Sequence, residues 1–163
     1  MTITIIKDTN LQDAKQALAE LLGKGIQDED VRQVALSITQ SGREDNITSV
    51  YLWVQSNVRY IPDPSLPEGI ELFTSPIRMV KDYRQGKPLA EDCDGIALLT
   101  GALLGSIGYE VRLSLLGDSS EITHVIAEVN VPQIGWVLVD ASTDKVPLGW
   151  EESYPRRLYV YPT

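Results

Sequence analysis

Residues 92–108 read DCDGIALLTGALLGSIG, and beyond the first turn no face of this segment is polar. The spacing and the Ala/Leu content predict a helix over 92–107, stopped by Gly108. A helix that is apolar nearly all round must be enclosed on every side. The flanking sequence therefore has to supply partners for it, and the two flanks differ in kind.

The upstream flank is helical. Residues 10–22 carry Leu11, Ala14, Leu18, Leu21 and Leu22 on one face, with Thr9 or Asn10 as cap and Gly23 and Gly25 as the expected end. Residues 28–40 repeat the pattern with Val31, Val34, Ala35 and Ile38 behind an acidic first turn, closed by Gly42. Residues 45–58 do so again with Ile47, Val50, Tyr51, Val54 and Val58. A short strand is expected at 3–6. Residues 60–76 hold four prolines and no sustained period. They predict an extended but ordered loop, because Ile61, Leu66, Ile70, Leu72 and Phe73 are too apolar to be left wet. Ser75-Pro76 reads as cap and first position of a helix to about residue 83, broken at 85–88.

The downstream flank alternates. Residues 109–116, 124–131 and 136–141 predict three strands, the last two joined by the short connection 132–135 as a hairpin. The tail, 151–163, predicts a strand or extended segment that closes the sheet. Helices first and antiparallel strands after give an α+β class. The expected fold has a helical N-terminal half, with the buried helix packed on an antiparallel sheet. With 163 residues and no linker or repeat, one domain spanning 1–163 is expected.

Asp and Glu number 23 against 14 Lys and Arg, a net charge of −9. That balance argues against nucleic acid and anionic membranes as partners, since both need a cationic face. There is one cysteine, Cys93, and one histidine, His124. No intramolecular disulfide is possible, and no four-ligand Cys/His zinc site. The N-terminal apolar run is too short for a signal-peptide core, and no apolar stretch reaches the ~20 residues of a membrane span. The expected compartment is the cytoplasm.

The two singular residues fall where chemistry can use them. Cys93 sits in the first turn of the buried helix, where unpaired amides and the dipole favour a thiolate. His124 begins one hairpin strand and Asp140 lies near the end of the next. A connection over 132–135 pairs Val131 with Trp136, which brings His124 and Asp140 close at the open end of the hairpin. A carboxylate beside an imidazole fixes its tautomer and supports its protonated form. If the helix N-terminus packs against that end, thiolate, imidazole and carboxylate stand in a row, the arrangement of a cysteine nucleophile.

The residues also resemble a family. Residues 91–109, EDCDGIALLTGALLGSIGY, resemble the nucleophile helix of the transglutaminase-like (papain-like fold) superfamily. HVIAEV at 124–129 resembles its histidine strand, and GWVLVDA at 135–141 its aspartate strand. VQSNVRYIPDP at 54–64 and Glu71-Leu72 resemble the segment preceding the nucleophile in bacterial and phage members. The likeness covers roughly residues 45–145. It implies acyl transfer through a thioester, with Cys93 as nucleophile, His124 as base then acid and Asp140 as orienting group. It implies an amide or peptide donor, water or an amine as acceptor, and no metal or cofactor. Four positions depart from the usual pattern. The family often has Gly where Glu91 stands, an acidic or amide residue where Gly95 stands, an aromatic at Ile126 and proline at Ala141.

Three questions remain for the structure. Glu91, Asp92 and Asp94 flank the thiol, and carboxylates raise a thiol pKa unless, as Asp92 can, they cap the helix. An oxyanion hole needs two donors; the Cys93 amide is one, and Tyr60, Asn57 and Gln55 are candidates for the other. Trp53, Trp136 and Trp150 read as core or rim, with Trp136 able to wall a cleft. The rival functions are a peptide-binding module without catalysis and a phage-type structural or assembly protein that retains the fold.

Overall fold

Side-chain capping sets where most helices begin. Asp28, Asp45 and Asp92 each accept from the amide three residues on, at Val31, Thr48 and Gly95, and Ser75 accepts from Ile77 ahead of a proline at the first position. The computed structural model describes residues 6–7, 10–62, 73–144, 147–149 and 153–163. Among them the helices are α1 (Leu11–Gln27), α2 (Glu29–Ser41), α3 (Asn46–Asn57), α4 (Pro76–Arg84) and α5 (Cys93–Ser106). The strands are β1 (Ile6–Lys7), β2 (Val58–Tyr60), β3 (Leu89–Glu91), β4 (Glu110–Gly117), β5 (Glu121–Val131), β6 (Gly135–Val139) and β7 (Arg156–Val160). The rest of the expected strand at 3–6, the stretch 63–72 with Leu66, Ile70, Glu71 and Leu72, and Thr9 and Trp150 lie outside the described residues.

The architecture is α+β, as expected. α5 lies between the other helices and the sheet, packing on α1 to α4 on one side and on β4 and β5 on the other. Residues 93–104 are all buried. Leu98, Leu99, Leu103 and Leu104 are fully enclosed, each worth roughly 2 kcal/mol in surface removed from water. Thr100, the one hydroxyl in that span, donates back to the Ile96 carbonyl at 2.7 Å and so adds no unmet polar group. One core runs through helices and sheet together.

The antiparallel sheet runs β1-β5-β4-β7, with β6 on the same edge of β5 as β1. β1 pairs with Glu121 and Ile122, whereas β6 pairs with residues 127–131, and His124 falls in the gap between them. β4 and β5 carry an irregularity there: Leu116 pairs with His124 but Gly117 with Ile122, so Thr123 is the extra residue. The bulge lets Ile122 join the main core while His124 shares the opposite face with Ile126. Gly117 permits it, because a Cβ there would stand 2.1 Å from the Glu121 carbonyl oxygen. Among the described residues no helix is long and apolar enough to cross a membrane.

Three expectations change. Gly23 and Gly25 do not end α1, which continues to Gln27. A Cβ at Gly23 would meet the Thr163 carbonyl oxygen at 1.9 Å, and one at Gly25 would meet Ala102 at 2.9 Å. Close packing selects these glycines and offsets the roughly 1 kcal/mol that glycine costs inside a helix. The hairpin register is one residue from that expected: Val131 pairs with Gly135, not Trp136. Gln133 and Gly135 take positive φ (71° and 102°) and tighten the turn. Finally, residues 58–60, expected as the end of a helix and the start of a loop, and residues 89–91, for which no element is expected, form β2 and β3, a small parallel sheet that runs Tyr60 alongside Glu91. The tail forms β7 on β4, as expected.

Candidate active site

Two of the candidate residues touch: His124 Nε2 lies 2.8 Å from Asp140 Oδ2. The two residues are not opposite one another. The ladder stops at Ala127–Val139, so Asp140 reaches His124 diagonally across the gap beside β6. Both side chains are mostly buried, 12% and 14% exposed. Ser142 holds the other carboxylate oxygen, Oδ1, through its amide (3.1 Å) and its hydroxyl. Burial pushes the Asp140 carboxyl up, but the hydrogen bond and charge of His124, and then Ser142, outweigh it and hold the pKa below the usual carboxylate range.

This arrangement assigns the two ring nitrogens. An ionised carboxylate only accepts, so the proton facing Asp140 belongs to Nε2. In the neutral ring, Nδ1 is then the basic nitrogen. Nδ1 is buried and has no hydrogen-bond partner among the described residues. A buried unmet acceptor costs about 1–3 kcal/mol, a cost tolerated where the group has work to do.

Cys93 comes from another layer. It is the first residue of α5, buried, and reduced. Asp92 caps that helix at 3.3 Å from the Gly95 amide, so its charge is directed at backbone N–H groups. Glu91 is different. Burial pushes its carboxyl up, the Asp92 charge adds to this, and a Thr74 hydrogen bond and the Arg78 charge oppose it. The Glu91 carboxyl group lies over the first turn of α5: a Cβ on Gly95 would stand 2.6 Å from Glu91 Oε1. Glu91 thus fills the space that a side chain at position 95 would need.

The candidate donors upstream are partly engaged. Gln55 Nε2 donates to the Tyr51 hydroxyl (2.9 Å) and to the Thr143 carbonyl (2.6 Å), which ties α3 to the loop after Asp140. Asn57 donates to the Trp53 carbonyl at 2.9 Å. Tyr60 stands in β2 beside Glu91. Trp53 packs edge-on against Tyr83, their ring centroids 4.9 Å apart. Trp136 pairs with Asn130, at the other end of β6 from Asp140, so it walls no cleft at the His124–Asp140 pair.

Sequence reading missed what surrounds Trp136. The Arg112 guanidinium lies 3.9 Å from the Trp136 ring centroid and 3.7 Å from that of Tyr159. It also binds buried Glu128 at 3.0 Å and the Tyr161 hydroxyl at 3.0 Å. The sequence signal is Arg112 in a largely apolar strand, with Glu128 in its cross-strand partner.

A family model for the transglutaminase-like superfamily matches residues 32–141. No curated protein matches the chain. Among solved structures, a candidate cysteine protease from Cytophaga hutchinsonii is similar with a TM-score of 0.55 at 16% identity, over 85% of this chain and 48% of that one. A candidate protease from Parabacteroides distasonis is similar with a TM-score of 0.52 at 19% identity, over 78% of this chain and 26% of that one. The chain therefore spans about half the length of the first and a quarter of the second. These likenesses carry the fold.

Two outcomes follow from the geometry. Gly95→Asp alone crowds Glu91 and lowers stability by about 2 kcal/mol, as overpacking does. Adding Glu91→Gly recovers most of the loss, which urea denaturation of both variants measures. The second concerns pH. Because the folded Asp140 pKa is depressed, its contribution is complete above the unfolded value of about 3.9 and is lost as pH falls through the folded value. Asp140→Asn is therefore less stable than wild type at pH 7, and the difference shrinks steadily below about pH 4.

Proposed function

The chain belongs to the transglutaminase-like superfamily, and on that footing we propose that it is a cysteine-dependent hydrolase or acyltransferase acting on amide or peptide bonds. What supports the reading is the family match over residues 32–141, together with Cys93 at the start of the buried α5 and an imidazole whose Nε2 is fixed by Asp140, which leaves Nδ1 as the basic nitrogen. Such a nitrogen is suited to take one proton and return it.

In the proposed reaction the Cys93 thiol gives its proton to His124 Nδ1, and the thiolate attacks the amide carbonyl carbon. Charge moves onto the carbonyl oxygen, where the Cys93 backbone N–H is the first stabilising donor. The imidazolium returns the proton to the amine nitrogen as the C–N bond breaks, leaving a thioester on Cys93 and a free amine. Water or a second amine then attacks the thioester, with His124 again taking the proton. Release of the carboxylic acid or a new amide regenerates the thiol. Asp140 stays ionised throughout and offsets the imidazolium charge. The steps use the chain's own groups and require no metal or cofactor.

The donor is a protein or peptide segment. An acidic chain favours neither nucleic acid nor an anionic membrane as partner. A lone reactive thiol suits a reducing compartment such as the cytoplasm. The names of the two similar structures support protease chemistry in particular.

The test is the pH dependence of iodoacetamide alkylation in wild type and in His124→Ala. One cysteine means one site of reaction. At pH about 6 wild type alkylates at least ~10-fold faster than a free thiol, whose pKa is about 8.5. His124→Ala loses that advantage. An ordinary thiol profile, unchanged by the substitution, would contradict the reading and leave a binding module without chemistry.

A further inference from the structure

The His124 ring has a second neighbour that the family match does not reach, since that match ends at residue 141. Tyr154 lies two residues before β7. Its ring stacks on the imidazole, with centroids 6.4 Å apart and planes 25° from parallel. The same tyrosine packs on the small apolar cluster of Leu116, Ile126 and Leu138. That cluster occupies the sheet face of His124, since Leu116 is the direct partner of His124 across β4 and β5.

β7 is fixed in a way that leads Tyr154 to this place. Leu116 pairs with Arg157 and Gly117 with Arg156, which brings the strand's start beside the row of His124. Farther along, Tyr159 stacks on the Arg112 guanidinium and the Tyr161 hydroxyl meets it at 3.0 Å. The clamp on Arg112 holds one end of the segment, and Tyr154 covers the imidazole at the other.

An imidazole held by one hydrogen bond can still turn about the bond to its Cβ. Asp140 fixes the Nε2 edge but not the tilt of the ring. A stacked aromatic restricts that tilt and shields the ring face from water. We propose that Tyr154 is a positioning residue for His124, fixing the tilt of the imidazole and with it the direction in which Nδ1 points. This rests on the proposed Cys93–His124 chemistry, and it makes the segment at 153–163 part of the active site rather than a closing strand alone.

The test uses Tyr154→Leu, which keeps apolar bulk on the Leu116 cluster but removes the ring, and Tyr154→Phe, which keeps the ring. The chain's one imidazole gives one set of ring signals in NMR. In wild type these show Overhauser contacts to the Tyr154 ring, an observation that needs no variant. Tyr154→Leu shifts the imidazole signals as the ring current is lost, and slows Cys93 alkylation at neutral pH about fivefold, the size expected for a stacked pair. Tyr154→Phe restores both. Absence of the contacts in wild type, or a wild-type alkylation rate in Tyr154→Leu, would overturn the proposal. A wild-type thiol of ordinary reactivity, with the contacts intact, would instead overturn the Cys93–His124 chemistry on which the proposal depends.

Discussion

Enclosing α5 is the constraint on which the rest of the molecule depends. Its residues 93–104 have no exposed face, so no single layer can cover it. Four helices close one side and β4 and β5 close the other. The same enclosure buries Cys93 at the point where the helix dipole is most positive. Close packing extends to the neighbours: α1 runs through two glycines because Ala102 and the Thr163 carbonyl need the space.

The sheet contributes the opposite quality, a local irregularity. A regular β5 would place Ile122 and His124 on the same face. The extra residue Thr123 separates them, giving Ile122 to the core and His124 to the face beyond it. The gap between β1 and β6 then lets Asp140 reach the ring diagonally. Around this point the polar groups are mostly matched, as Asp140 is by both His124 and Ser142. Nδ1 is not matched, and with Arg112 Nε, Ser114 Oγ and Glu128 Oε2 it is one of four such buried side-chain atoms among the described residues.

Much of this was legible in the sequence, for physical reasons that can be named. The apolar periods of α1 to α3, the acidic first turn of α2 and the capping residues Ser75 and Asp92 carried the helices. Alternation carried β4, β5 and β6. The single Cys, single His and a nearby Asp fell on motifs in the right order. β2 and β3 were not legible, because three residues are too few to show a period, and their pairing depends on chain brought from 31 residues away. The end of α1 was misread because glycine marks both helix ends and close contacts, and only the neighbour tells which. The hairpin was misplaced by one residue, since the left-handed backbone of Gln133 has no strong sequence signature. Tyr154 and the Arg112 clamp were invisible for a different reason: both join residues from separate strands and lie partly beyond the recognisable motifs.

The central claim is that the free nitrogen of His124 and the thiol of Cys93 form one proton-sharing unit. The direct measurement is a ¹⁵N NMR titration of the single imidazole in wild type and in Cys93→Ala. In the variant above its titration, the neutral ring should carry its proton on Nε2, facing Asp140. Across the titration the Nδ1 signal of wild type should differ from that of the variant, because in this account the Cys93 thiol shares its proton with that nitrogen. Identical titrations in the two proteins, or a neutral ring protonated on Nδ1, would contradict the account.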